Sequence, residues 1–228
     1  MQPRFVGRLG PADAVTAGNA VLGFLAAFTA TFDATLAARL LLLAAITDGL
    51  DGVVARKFGG TPVGPHLDSL ADVASFGVAP ALLVACHVTA MPAWSLDGGP
   101  VRFAVTLGLG GAFVATAVVR LGLYTVYDSE DDATEGAPTT LAATILSAGV
   151  LAGFVGPAIL VGLSGALAVL MVSTVQYPDL HSQDALVMGV VQLFAIVFTG
   201  RPGEVFAFAI LFLSLAYTTL APRFYWGR

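Results

Sequence analysis

Apolar runs long enough to cross a lipid bilayer recur along the whole of this 228-residue chain. A helix that crosses the hydrocarbon core needs roughly 20 predominantly apolar residues. Runs of this kind, separated by short segments rich in glycine, proline and acidic residues, predict about eight membrane helices, near 13–31, 35–57, 66–90, 101–126, 138–154, 157–175, 184–200 and 204–221. The predicted fold is therefore an all-α, polytopic membrane helix bundle.

The composition supports one integral membrane domain over residues 1–228. Hydrophobic residues make up 57% of the chain and charged residues only 11%, whereas soluble domains carry about 25% charged residues. No soluble domain fits between the apolar runs. Cys86 is the single cysteine, which excludes an internal disulfide and a thiolate metal site. Nothing in the sequence indicates a nucleic acid as partner.

The positions of lysine and arginine predict the orientation of the bundle. With both termini in the cytoplasm, the cytoplasmic side carries seven of these residues and the outer side three. The first group is Arg4, Arg8, Arg56, Lys57, Arg120, Arg223 and Arg228; the second is Arg39, Arg102 and Arg201. Cytoplasmic loops of membrane proteins are enriched in Lys and Arg. We therefore expect a multi-pass protein of the cell membrane with the turn at 59–65 in the cytoplasm.

The segment DGLDGVVARKFGGTPVGPHLDSLAD at 48–72 places four aspartates in helical register. Asp48 and Asp51 lie on one stripe of the second helix, because residues three or four apart share a helix face. Asp68 and Asp72 form a second stripe at the start of the third helix. A glycine- and proline-rich turn joins the two helices, so we expect the four carboxylates to converge near the cytoplasmic interface.

Four carboxylates at close range repel one another unless a cation neutralises them. Their hard oxygen atoms suit Mg²⁺, Mn²⁺ or Ca²⁺, and four acids could hold two ions as in two-metal phosphoryl-transfer sites. On the same stripe, Gly52 and Ala55 leave room for a bulky group, and Arg56 can reach a phosphate with its forked donors. These residues together indicate a lipid pyrophosphate or a nucleotide head group as ligand.

The segment resembles the signature of the CDP-alcohol phosphatidyltransferase family, D-x-x-D-G-x-x-A-R-x(7,8)-G-x-x-x-D-x-x-x-D. Every fixed position is present: Asp48, Asp51, Gly52, Ala55, Arg56, Gly64, Asp68 and Asp72. The resemblance implies a six-helix core with a dinuclear Mg²⁺ or Mn²⁺ site in a cytoplasm-facing cavity, and it suggests a homodimer. It implies that Asp48, Asp51 and Asp68 are metal ligands, with Asp72 near the metals as a further ligand and candidate general base. It also implies that Gly52, Ala55 and Arg56 line the CDP site and that Gly64 shapes the turn.

Sequences outside the signature resemble the serine-accepting branch of this family. They are GNAVLGFLAAF at 18–28, with Asn19 as a candidate for ordering the CDP-lipid site, SFGVAPA at 75–81, EGAPTTLAA at 135–143 and LMVSTVQYP at 170–178. The resemblance therefore covers a catalytic core at 1–178 and leaves two additional helices at 179–228. It implies transfer of a lipid phosphate from CDP-archaeol or CDP-diacylglycerol to L-serine with release of CMP.

Serine carries a carboxylate that requires a cationic partner near the metals. Arg120, at the cytoplasmic end of the fourth helix, is the candidate, although a purely interfacial arginine has the same sequence pattern. Two alternatives to serine transfer stay open. One is the same chemistry with glycerol 3-phosphate or inositol phosphate, which need more basic residues around the cavity than this chain offers. The other is a non-enzymatic cation-binding membrane protein, which needs polar residues continuing across the membrane.

Overall fold

The computed structural model describes residues 7–128, 133–178 and 180–225. Its regular elements are α1 (Pro11–Thr29), α2 (Ala34–Phe58), α3 (Gly64–Asp72), α4 (Ala79–Thr89), α5 (Pro100–Leu123), β1 (Ala133–Glu135), α6 (Thr139–Leu151), α7 (Pro157–Met171), β2 (Gln176–Pro178), α8 (Ser182–Val197) and α9 (Gly200–Phe224). Two π-helical segments extend helices, Val73–Val78 between α3 and α4 and Tyr124–Asp128 after α5, and Pro92–Trp94 forms a 3-10 turn.

The helices form eight rods in the described part of the chain, because α3, the π segment and α4 run on without a break. This count agrees with the expected all-α membrane bundle. Four rods are long and apolar enough to cross a membrane, namely Pro11–Thr29, Gly64–Thr89, Pro100–Tyr127 and Gly200–Phe224. The others are α2, which is long but carries the charged motif, and the shorter helices α6, α7 and α8, with 13, 15 and 16 residues.

Two helices are shorter than their apolar runs predict. α6 ends at Leu151 where the run continues to 154, and α7 ends at Met171 where the run continues to 175. Gly153, with φ +75°, turns the chain after α6, and strand β2 begins five residues after α7. Apolarity alone therefore overestimates both helices, because turn and strand geometry end them first.

Helix α6 lies at the centre of the bundle. Every residue from Leu141 to Gly149 is buried, and α6 packs against α2, α4, α7 and α9. A helix that is apolar on all faces is buried by its neighbours. This central position places the N-terminus of α6, at Thr139, directly beside the charged ends of α2 and α3.

The π segment after α3 is explained by close packing and by a proline. In a regular α-helix the ring of Pro80 would collide with the carbonyl of Phe76, four residues before it, and the wider π turn includes Phe76. On the opposite helix, a Cβ built on Gly23 would lie 2.7 Å from the Cα of Ser75. α1 and the π segment therefore touch backbone to backbone, and the Ser75 hydroxyl donates to the carbonyl of Asn19 at 2.9 Å.

A short antiparallel ribbon, β1–β2, is an addition to the all-α prediction. It pairs Thr134 with Tyr177 and joins the segment after α5 to the segment after α7. Gly136, with φ +79°, follows β1 at a place where a Cβ would collide with the carbonyl of Met171. The ribbon lies at the same end of the bundle as the motif aspartates, since Thr134 of β1 lines one cavity with Asp48, Asp68 and Asp72.

Candidate functional site

The helical hairpin of α2 and α3 brings three of the four aspartates together. One carboxylate oxygen from each of Asp48, Asp68 and Asp72 lies within 4.8 Å of the others. The two residues on α3 are four apart, so they share one face, and that face is turned toward α2. The predicted convergence of the two stripes is therefore present in the structure for these three side chains.

Asp51 approaches the same cluster from a different direction. On a helix, a residue three positions further on is rotated by about 60° from the first, and the Asp51 carboxylate turns toward α1. There its Oδ2 accepts a 2.7 Å hydrogen bond from the buried hydroxyl of Thr16. Asp51 remains close enough to act electrostatically on the other three aspartates. The Asp51 carboxylate thus lies beside the cluster of Asp48, Asp68 and Asp72, and one of its oxygens accepts the hydrogen bond from Thr16.

The carboxylate cluster fits a divalent cation. Asp72 is only 7% exposed, and its Oδ1 has no hydrogen-bond partner among the residues that the structure describes. Burying a carboxylate oxygen without a partner is costly, as is holding three like charges at this separation. A cation that prefers oxygen ligands removes both costs. These residues could therefore hold a divalent metal ion.

A second wall faces the aspartates across a cavity of about 210 Å³. It is formed by the end of α5, strand β1 and the start of α6. The residues that line the whole cavity are Asp48, Asp68, Asp72, Arg120, Leu121, Tyr124, Thr134, Pro138, Thr139 and Thr140. The hydroxyl of Thr140 donates to Asp48 Oδ2 at 3.3 Å. The EGAPTTLAA segment at 135–143 therefore supplies part of the opposing wall, through Pro138, Thr139 and Thr140.

Arg120 lies on this second wall and is buried. Only 7% of the residue is exposed, and its Nη2 donates to Thr134 Oγ1 at 3.2 Å. Its guanidinium carbon also lies 5.5 Å from the centroid of the Tyr124 ring, within the range of a cation–π contact. The side chain is thus held at the cavity wall between a strand and a helix. An interfacial arginine would instead extend its guanidinium to the membrane surface.

The small-residue face of α2 adjoins the cluster. Gly52 and Ala55 are half-buried, and Arg56 is exposed. A Cβ built on Gly52 would meet only Nη1 of Arg56, at 3.5 Å. The arginine therefore folds back along α2 over the glycine, so a guanidinium lies over a helix face that carries only small side chains.

Gly64 lies at the turn between α2 and α3, as expected. Asp13, which was not among the predicted site residues, fixes this turn by hydrogen bonds. Asp13, buried near the start of α1, accepts hydrogen bonds from the Thr61 hydroxyl at 2.8 and 3.1 Å and from the Gly10 amide at 2.7 Å. A Cβ on Gly64 would lie 3.3 Å from Asp13 Oδ1. Asp13 thereby fixes the α2–α3 turn against α1, and the small size of Gly64 permits that contact.

Asn19 is fully buried on α1, on the same helix face as Thr16. Neither its amide nitrogen nor its side-chain oxygen has a hydrogen-bond partner among the described residues. Asn19 does not line the cavity that contains the aspartates. Its backbone carbonyl, in contrast, is engaged by Ser75, so the structure gives a packing role to the backbone of this residue.

Five residues whose side chains make a polar or cation–π contact at the site were absent from the sequence prediction: Asp13, Thr16, Tyr124, Thr134 and Thr140. Two signals were available. Thr16 lies three residues before Asn19 on a helical stripe, and Thr140 lies within the EGAPTTLAA segment at 135–143. Nothing in the sequence pairs Thr134 with the wall opposite the aspartates, because that pairing depends on a strand contact between residues more than 40 positions apart.

Comparison with known proteins identifies the family to which the chain belongs. The family model for CDP-alcohol phosphatidyltransferase matches residues 11–199. The archaetidylserine synthase of Methanothermobacter thermautotrophicus is 33% identical over 149 residues, which are 64% of this chain and 59% of that protein. The CDP-diacylglycerol–serine O-phosphatidyltransferase of Helicobacter pylori is 32% identical over 181 residues, 72% of this chain and 70% of that protein. The protein of the same name from Methanocaldococcus jannaschii is 47% identical over 73 residues, about a third of each chain. The chain belongs to the CDP-alcohol phosphatidyltransferase family.

Proposed function

We propose that this protein is a membrane phospholipid-synthesis enzyme that transfers the lipid phosphate of a CDP-lipid to the hydroxyl of L-serine and releases CMP. The observation that carries the proposal is a single cavity with three motif aspartates on one wall and the buried Arg120 on the other. Membership in the family supports the reaction type, and two relatives named for a serine product or for serine transfer support the acceptor.

In the proposed reaction, the serine hydroxyl oxygen forms a bond to the lipid-bearing phosphorus. The bond from that phosphorus to the bridging pyrophosphate oxygen breaks, and CMP leaves with the electron pair. Asp72 accepts the hydroxyl proton, because it lines the cavity and has a buried oxygen that no described residue engages. General-base assistance of this kind contributes roughly 10²- to 10⁴-fold in rate.

Asp48, Asp51, Asp68 and Asp72 would hold the divalent metal, which we propose to be two Mg²⁺ or Mn²⁺ ions. When bound, such ions neutralise the pyrophosphate and stabilise the leaving CMP. The protein's own part is to orient the ligands: Thr16 fixes one oxygen of Asp51, and Thr140 fixes one oxygen of Asp48. Both hydroxyls restrict the rotation of a carboxylate before a metal arrives.

The donor and the acceptor are assigned to different faces of the cluster. Gly52, Ala55 and Arg56 are proposed to receive the CDP moiety on the small-residue face of α2, with Gly64 shaping the adjacent turn and Asn19 supporting the site from α1. Arg120 is proposed to bind the serine carboxylate. A cavity of about 210 Å³ suits a small polar acceptor. Arg120 is the one cation among its described lining residues, which favours serine over acceptors that carry a phosphate.

The proposed location is the cell membrane, with the cavity open to the cytoplasm. The supporting observation is that the cavity end of the bundle carries Arg8, Arg56, Lys57 and Arg120, whereas Arg39, Arg102 and Arg201 belong to the other end. Arg4 and Arg228 lie outside the described residues. A homodimer is part of the proposal on the family resemblance alone.

The test measures CMP release by the purified protein with Mg²⁺ or Mn²⁺ and with either CDP-archaeol or CDP-diacylglycerol. Serine, glycerol 3-phosphate, inositol phosphate and no acceptor are compared. We expect release to depend on serine and to fall at least about 100-fold in Asp68→Asn, since metal-held phosphoryl transfer depends on the carboxylates. Asp97→Asn, an exposed aspartate between α4 and α5, is the matched control. Serine that gives no more CMP than the blank contradicts the acceptor assignment, and full activity in Asp68→Asn contradicts the metal site.

A further inference from the structure

The wall that carries Arg120 is held by a very short ribbon. Thr134, the hydroxyl partner of Arg120, is the central residue of β1 and pairs with Tyr177, the central residue of β2. Each strand has three residues. Two-stranded pairs without further support are marginally stable in water, and these strands come from separate loops. The position of Thr134 therefore depends on what holds β2, together with the contact of β1 with the segment after α5.

Helix α9 holds β2 through two tyrosine hydroxyl groups. Tyr177, only 1% exposed, donates to the carbonyl of Thr218 at 3.3 Å. Tyr217 donates in the opposite direction, from α9 to the carbonyl of Pro178. The two rings lie 6.3 Å apart, within the range of favourable aromatic pairs. Burial raises the pKa of the Tyr177 phenol, so the hydroxyl stays protonated and remains a donor at neutral pH.

The carbonyl that accepts from Tyr177 is available because of a proline. In an α-helix the carbonyl of residue 218 would accept from the amide of residue 222. Residue 222 is proline, which has no amide hydrogen. Tyr177 supplies the donor that Pro222 cannot. Pro222 thus leaves the Thr218 carbonyl without its helical donor, and the Tyr177 hydroxyl of the ribbon donates to it instead.

We propose that α9 is a positioning element for the acceptor side of the cavity. Its Tyr217 and its Thr218 carbonyl fix β2, β2 fixes Thr134 on β1, and Thr134 fixes the guanidinium of Arg120. The helix begins at residue 200, just beyond the region that matches the family model. The proposal rests on the proposed function, in which Arg120 binds the carboxylate of the acceptor. Tyr177 and Tyr217 are positioning residues in it and touch no substrate.

Removing one hydroxyl at a time tests this chain of contacts. In Tyr177→Phe and Tyr217→Phe we expect the KM for serine to rise by about 3- to 10-fold, the change that corresponds to one lost hydrogen bond. The KM for the CDP-lipid is expected to stay within about twofold, since the residues assigned to the CDP moiety lie on α2 and not on the ribbon. A role limited to general stability would instead lower the active fraction and leave both KM values unchanged.

Two control variants match these changes. Tyr127→Phe removes the hydroxyl of an exposed tyrosine, and Thr219→Val removes a hydroxyl from α9 that bonds only to the helix's own backbone. Both are expected to leave the KM for serine unchanged. A rise in the KM for the CDP-lipid that equals the rise for serine in the two tyrosine variants would overturn the proposal.

A readout without catalysis separates this proposal from the proposed function. Amide hydrogen exchange in the ribbon, at 133–135 and 176–177, is expected to be at least several-fold faster in both tyrosine variants than in the wild type and the controls. Exchange that does not change overturns the bracing role whichever acceptor the enzyme uses. If serine fails to support CMP release while exchange accelerates, the acceptor assignment fails and the bracing of the wall stands. The KM comparison is then made with the acceptor that does release CMP.

Discussion

Thr16 shows how one hydroxyl can control the geometry of a charged site. It donates a 2.7 Å hydrogen bond to Asp51 inside the bundle, where both residues are buried. We expect Thr16→Val to raise the Mg²⁺ or Mn²⁺ concentration for half-maximal CMP release by about tenfold or more, because residues that orient metal ligands typically contribute 10- to 100-fold in affinity or activity. A metal titration of activity, together with the metal-induced shift of the unfolding temperature, measures the effect.

The same helix offers a matched control for Thr16→Val. Thr29 is also a buried threonine of α1, but its hydroxyl bonds to the backbone of its own helix, at Leu25 and Ala26. Thr29→Val is expected to leave the metal requirement unchanged, and Thr16→Ser is expected to restore it. A metal requirement in Thr16→Val equal to that of the wild type would show that the hydrogen bond from Thr16 does not orient Asp51 for metal binding.

At the scale of elements, the approach of α1 to the π segment is the tightest helix contact that bears on the site. A Cβ on Gly23 would overlap Ser75, three residues after Asp72. We expect Gly23→Ala to destabilise the protein by at least about 2 kcal/mol, since overpacking of a close contact forces backbone shifts. CMP release should fall as well, because the shift moves the end of α3. Thermal unfolding and activity of the detergent-purified variant measure the two effects.

Gly18 provides the comparison on the same helix. A Cβ on Gly18 meets nothing within 4 Å, and alanine is a better helix former than glycine by about 1 kcal/mol. Gly18→Ala is therefore expected to keep or slightly raise the unfolding temperature and to keep activity. Equal losses in Gly18→Ala and Gly23→Ala would mean that helix flexibility, and not the contact with Ser75, explains the effect.

For the whole molecule, the alternation of eight rods places the cavity and the loop between α4 and α5 at opposite ends. In a Cys86→Ala background, Lys57→Cys near the cavity and Asp97→Cys in the far loop are both exposed positions. A membrane-impermeant maleimide added to intact cells is expected to label Asp97→Cys and to spare Lys57→Cys, which becomes labelled after cell lysis. The reverse pattern would place the cavity on the outer side.

The main features of fold and site follow from local patterns in the sequence. The eight helices were predicted to within a few residues at most ends, because apolar runs and breakers act over short distances. The placement of Asp48, Asp68 and Asp72 was predicted for the same reason: helical period and one short turn bring the two stripes together. The ends of α6 and α7 were not predicted correctly. The turn at Gly153 ends α6 and the approach to strand β2 ends α7, and hydrophobicity does not encode either feature.

The sequence by itself determined the membrane class and the carboxylate cluster, because each depends on residues close together in the chain. Only the tertiary structure decided that Arg120 is buried in the same cavity as the aspartates, that Thr16 holds Asp51, and that α9 supports the opposing wall through Tyr177 and Tyr217. The hydrogen bonds of Thr16, Tyr177 and Tyr217 join residues 35 to 41 positions apart. Their partners are selected by the packing of whole helices around α6, which no local pattern specifies.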